Sequence, residues 1–173
     1  RAGAALDCAR FARLLLKAAI WVEAGAWRSA ADPEQAAARA EPVGALAARL
    51  LDHRRQRVRK AGRGLRRQGA EVRHELRLEA KKLRYVAEFF ESAFPGERKR
   101  SRRFVTALKD LQEALGLLND IAVAEQTAKL AVFGRRGQDL AFTAGQIVGQ
   151  LRAREPRLIE RAEKTFAAFK AAK

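Results

Sequence analysis

The stretch HELRLEAKKLRY, residues 74–85, packs His74, Arg77, Lys81, Lys82 and Arg84 between leucines at helical spacing. At about 100° per residue, His74, Arg77, Lys81, Arg84 and Glu88 step by three and four and form one stripe of a helix. Val72, Leu76, Ala80, Leu83, Ala87, Phe90 and Phe94 form an apolar stripe on one side of it. Leu78, Tyr85 and Phe89 form a narrower one on the other side. Glu75, Glu79 and Lys82 fall roughly opposite the cations and are expected to face water. A solvated charged face has its apolar residues across the wheel. Here the basic stripe lies between two apolar ones, so Arg77, Lys81 and Arg84 are expected to face a groove between helices. A cation removed from water costs several kcal/mol, order of magnitude, unless it is paired. Only Glu88 offers a carboxylate on the stripe. Either water fills the groove or an anion sits there; in the alternative, the long stems snorkel to solvent.

The rest of the chain reads as helix too. Ala, Leu, Arg, Glu and Lys dominate, and β-branched residues are sparse. A first helix is expected over Ala4–Glu23, then a connector with a short helix starting at Pro33 behind Asp32 as N-cap. Further helices are expected over Pro42–Arg67, Ala70–Ala93 and Glu97–Val132. A turn at FGRRGQ, residues 133–138, leads to a fifth long helix ending near Glu155 and a last one starting at Pro156. The fold class is therefore all-α, an up-and-down antiparallel bundle of long helices with short joints.

Composition narrows the function. The 173 residues suffice for one domain with a sizeable core, and 48% of them are hydrophobic. Lys and Arg number 36 against 20 acids, for a formal charge of +16. Such a balance calls for a polyanionic partner: nucleic acid, an acidic membrane surface or a polyphosphate-like ligand. With a single cysteine, Cys8, an internal disulfide framework is impossible, which suits a reducing, cytoplasmic compartment. No apolar run reaches membrane-spanning length. The chain contains no Met and opens inside a helical pattern, so a fragment of a longer protein is expected.

Neighbouring helices carry further candidates. Arg54 and Arg57 fall within the apolar face of Leu46, Leu50, Val58, Ala61 and Leu65 and are candidate groove residues. Arg55, Arg59 and Arg66 fall away from it. Arg98, Arg102, Lys109, Gln112, Gly116 and Asn119 share a stripe beside Phe104, Leu108, Leu111, Leu115 and Leu118. Gly116 inside a helix costs roughly 1 kcal/mol against Ala and calls for a close approach or room for a ligand. Arg10, Arg13 and Lys17 line up on the first helix without a second apolar stripe beyond them.

HELRLEAKKLRYVAEFFESAFPG followed by LKDLQEALGLLNDIAVA resembles the conserved histidine α-helical domain, or CHAD. The matching positions are His74, Arg77, Lys81, Lys82, Arg84, Tyr85, Lys109, Gln112, Gly116, Asn119 and Asp120. RFARLLLKAAIWVEAGAWR is similar to the segment joining the family's two halves, through Arg10, Phe11, Trp21 and Trp27. The resemblance implies two similar helical bundles with basic residues lining a central furrow. It implies binding of inorganic polyphosphate, location at polyphosphate granules in some members, and service as an accessory to a CYTH-type triphosphatase. An earlier histidine-arginine helix, expected of the family, is missing. His53, in LLDHRRQRVRK, has the wrong surroundings for it. The chain therefore reads as a single CHAD-like domain over residues 1–173, lacking its N-terminal half-repeat. A second chain or the missing half would complete the furrow. The expected polyphosphate-binding residues are His74, Arg77, Lys81, Arg84, Arg54, Arg57, Lys109, Arg102, Gln112 and Tyr85.

Other classes fit less well. Duplex recognition would need an exposed reading helix and a turn pattern that is absent. Single-strand binding uses exposed aromatics, whereas Phe and Trp sit mostly at apolar-stripe positions. Nucleic acid held by charge alone stays the runner-up. No Ser-His-Asp order and no metal-ligand spacing stand out, so no catalytic residues, metal or cofactor are expected. For His74 the plain alternative is a packed helix-start histidine. A scaffold that docks the cations of residues 98–103 or 55–67 on an acidic protein stays open.

Overall fold

The computed structural model describes residues 3, 6–28, 32–132 and 138–172. The expected first turn at residues 4–5 and most of the FGRRGQ turn lie outside them. Among the described residues there are helices and no strands. We label the α-helices α1 (Ala9–Ala24), α2 (Pro33–Ala40), α3 (Val43–Ala61), α4 (Ala70–Phe89), α5 (Arg98–Val132) and α6 (Gln138–Ala171). The chain forms two compact units, Arg1–Pro42 and Val43–Lys173.

In the first unit, Asp32 caps α2 by accepting a hydrogen bond from the Glu34 backbone N–H at 3.0 Å, with Pro33 in the first turn. This is the start that Asp-Pro dictates. Trp27 donates its indole N–H to the Trp21 carbonyl at 2.6 Å and packs tilted against the Trp21 ring. No residue of α1 is buried, and Leu14, Leu15, Leu16, Ile20, Trp21 and Val22 are exposed.

The second unit is an up-and-down bundle in which α3 packs on α4, α4 on α5 and α5 on α6. Residue numbers rise along α4 as they fall along α5 in the pairs His74–Asn119, Ala80–Gln112 and Glu88–Lys109, so the two helices are antiparallel. Glu113–Arg161 and Glu125–Arg152 give α5 and α6 the same relation. The core comprises Val58 from α3, Leu76, Ala80 and Leu83 from α4, Leu108, Leu111, Ala114, Leu115 and Leu118 from α5, and Ala162, Phe166 and Phe169 from α6. Each fully buried leucine or phenylalanine contributes about 1.5–3 kcal/mol of transfer free energy. Of the apolar stripe expected on α4, Leu76, Ala80, Leu83 and Ala87 are buried, whereas Val72 at the start of the helix is exposed and Phe90 and Phe94 lie beyond its end.

Four boundaries depart from the sequence reading. The first helix, expected from Ala4, has its long run from Ala9, after a bend at Asp7 and Cys8. The helix expected to reach Arg67 ends at Ala61, and a short 3-10 turn follows at Leu65–Arg67. Gly64 adopts φ +68°, a left-handed conformation that ends a helix and suits glycine. Residues 91–93, expected to end the next helix, form a separate 3-10 turn after Phe89. The break expected at Pro156 does not occur, and α6 runs through it. Pro156 cannot donate to the Arg152 carbonyl, but both residues are exposed, on the side of the helix where a missing bond costs least.

Candidate functional site

The stripe of α4 faces α5, and a row of polar contacts runs along the seam between them. At one end, His74 Nδ1 lies 2.7 Å from Asn119 Oδ1. With Nδ1 as donor to that oxygen, Nε2 has no partner among the described residues. In the middle, Gln112 donates to the Ala80 carbonyl at 3.1 Å and accepts from Arg84 Nε at 3.2 Å. Its amide therefore fixes the guanidinium against the helix. Arg84 also donates to both oxygens of Glu88, at 3.0 and 3.2 Å, and lies 4.8 Å over the Tyr85 ring. Lys81 is exposed, and its Nζ lies 5.6 Å over the same ring. At the far end, Lys109 approaches Glu88 at 3.4 Å.

Arg77 lies at the centre of this row with the least compensation. Its Nε is buried and donates to nothing, and its guanidinium forms no ion pair among the described residues. It rests against Gly116: a β-carbon on that glycine would stand 3.6 Å from Arg77 Nε. The room inferred from an interior glycine is occupied by the arginine's own side chain. The seam thus gathers Arg77, Lys81, Arg84 and Lys109 against one contacting carboxylate, Glu88. Asp120, beyond Asn119, is exposed and makes no ion pair among the described residues. Leu78, Tyr85 and Phe89, the narrower apolar stripe, remain exposed beside the cations.

Arg54 and Arg57 are not part of the row. Both reach Glu79, Arg57 at 3.0 Å and Arg54 at 3.8 Å, on the side of α4 that meets α3. Glu79 stands about 140–180° around the helix from the stripe. The expectation that Glu79 faces water is therefore wrong: the residue is 9% exposed, and Lys82 closes over it at 2.9 Å. Burial pushes its carboxyl up, but the hydrogen bond from Lys82 and the charges of Lys82, Arg57 and Arg54 outweigh this and hold it below the ordinary value. Glu75 and Lys82 are exposed as expected. Arg102 lies seven residues N-terminal to Lys109, about 10 Å along the helix, and lines a hollow with Arg98, Thr106, Asp110 and Ala168 instead.

Sequence reasoning missed Arg73. It is 8% exposed and donates to Glu155 of α6 at 2.7 Å, tying two helices together. The signal was on the wheel, where Arg73 falls about 20° from Ala80, inside the apolar stripe. Glu79 lies about 40° from Leu83 and was legible in the same way.

Fold and site together define an all-helical protein whose adjacent α4 and α5 share a seam with excess positive charge. The CHAD domain model matches residues 1–129, three quarters of the chain by length, and the chain belongs to that family. The match takes in the whole seam and ends before α6. No curated protein and no solved structure matches the chain. No helix among the described residues is long and apolar enough to cross a membrane.

Proposed function

We propose that the chain binds inorganic polyphosphate along the seam between α4 and α5, as a binding module without chemistry of its own. The observation that carries the reading is Arg77. An inward guanidinium with a buried, unpartnered Nε is costly in isolation, and an anion in the groove would pair it. Membership of the CHAD family supports the choice of anion. Linear polyphosphate has a charge on every unit and no bases to read. Guanidinium groups bind phosphate oxygens in bidentate fashion, and Lys81 and Lys109 add point charge. His74 Nε2 offers one more hydrogen bond. Tyr85 serves as the platform that orients Arg84 and Lys81. The exposed Leu78, Tyr85 and Phe89 suit a second wall, from further chain or another copy. Such a module fits as the accessory of a triphosphatase or as a tether to polyphosphate granules.

Arg77→Glu with Lys81→Glu is expected to remove most of the polyphosphate affinity in an equilibrium titration at fixed salt, with helical circular dichroism unchanged. Unaltered affinity would falsify the seam model. Duplex DNA that displaces polyphosphate at matched charge would favour a nucleic-acid ligand instead.

A further inference from the structure

We propose that the arginine-glycine turn after α3, together with the C-terminal part of α6, forms a second site for a run of closely spaced phosphates. The two sites share no residue. A concavity of about 990 Å³ is lined by the cations Arg59, Lys60, Arg63, Arg66, Arg67 and Lys170. Its carboxylate is Glu163, 3.9 Å from Arg66. Arg59, Lys60, Arg63 and Arg67 make no ion pair among the described residues. The negative end of the α3 dipole accounts for cations at Arg59 and Lys60, in its last turn. It does not account for the others, which lie on the following turn and on α6.

The backbone that carries these cations is held in place. Gly64 adopts φ +68°. The Gln68 amide donates to the carbonyls of Ala61 and Arg63, at 2.6 and 2.9 Å. The Phe166 ring occupies the space where Gly62 lacks a β-carbon. Six cations are thus presented on a fixed frame, which lowers the ordering cost of binding. The ring forms the floor of the concavity but is only 7% exposed, and Lys170 lies 5.2 Å over it. No bare aromatic face is available for stacking a base. The chemistry fits phosphates read by charge and guanidinium forks, without bases.

The choice of ligand rests on the seam reading, and a long polyphosphate is expected to engage both sites. The test compares tripolyphosphate with long-chain polyphosphate at fixed salt. Two variants report the sites: Arg63→Glu with Arg67→Glu for the turn, and Arg77→Glu with Lys81→Glu for the seam. Arg154→Glu with Arg157→Glu, on exposed residues of α6 lining neither site, makes the same change of charge. The turn variant is expected to lose long-chain affinity by about tenfold or more beyond the control, as loss of a second linked site predicts. Its tripolyphosphate binding should fall no more than the control's, because the seam remains. The seam variant should keep weak, salt-sensitive binding that the added turn substitutions remove. Arg63→Gln with Arg67→Gln should give the same ordering with smaller effects. A turn variant indistinguishable from the control with both ligands overturns the second site. So does loss of duplex DNA binding with polyphosphate binding intact, which would reassign the ligand. Binding that survives in the seam variant and vanishes in the turn variant would instead refute the seam while upholding the turn.

Discussion

Arg77 and Glu79, two positions apart on α4, show opposite solutions to a charge removed from water. Arg77 Nε is buried without a partner among the described residues, a cost that an anion in the groove would offset. Arg77→Met keeps the stem's packing and removes the charge. It should leave stability unchanged or raise it by about 1 kcal/mol in urea unfolding, while polyphosphate affinity falls. A marked loss of stability would mean that the guanidinium is paired in the free protein. Glu79 instead meets three cations. Its folded value lies below the ordinary 4.5, so the native state binds fewer protons than the unfolded chain in the window below that value. The stability it contributes is complete above pH 4.5 and is lost as pH falls through the folded value. Glu79→Gln should cost about 1–2 kcal/mol at neutral pH. The gap to the parent protein should close on acidification below pH 4.5, and a gap independent of pH would contradict the ion cluster.

Among the elements, two glycines in helical surroundings have different causes and should respond differently to the same change. A β-carbon at Gly62 would collide with the Phe166 ring, so Gly62→Ala forces the core apart and should cost about 1–3 kcal/mol. At Gly116 the nearest atom would be Arg77 Nε at 3.6 Å, an ordinary contact. Gly116→Ala should therefore gain up to about 1 kcal/mol from helix propensity. Thermal melts of the two variants check both signs. The same residues show what was legible at this scale. The stripe on α4 could be read because its cations fall together on the wheel and the flanking positions are apolar. Gly62 and Gly64 did mark the end of α3, but the arginine and leucine periodicity across them concealed it. Pro156 failed as a marker because propensity yields where the proline faces water and the flanking turns are anchored in a core. The partners of Arg54 and Arg57 depended on which neighbour each side of α4 meets, and a helical wheel carries no such information.

At the level of the molecule, the bundle followed from periodicity, whereas which cations converge followed from packing. Only part of the +16 charge lies at the seam. Much of it sits on exposed positions, at the turn after α3 and at the start of α5. Total charge therefore speaks for attraction to any polyanion, and the number of ions released on binding is the sharper quantity. On the proposed reading, a short polyphosphate in the seam would meet Arg77, Lys81, Arg84 and Lys109, with Glu88 opposing. With the single-strand coefficient, its logarithmic binding constant should fall against the logarithm of salt with a slope of about −2 to −3. A ligand attracted by the whole surface would neutralise many more charges and give a much steeper slope. A slope near zero would remove counterion exchange as the driving force and, with it, the electrostatic account of the seam. Repeating the titration with Lys109→Gln should make the slope shallower by about 0.7, since one cation fewer exchanges its counterion. An unchanged slope in that variant would place the ligand away from the Glu88 end of the seam.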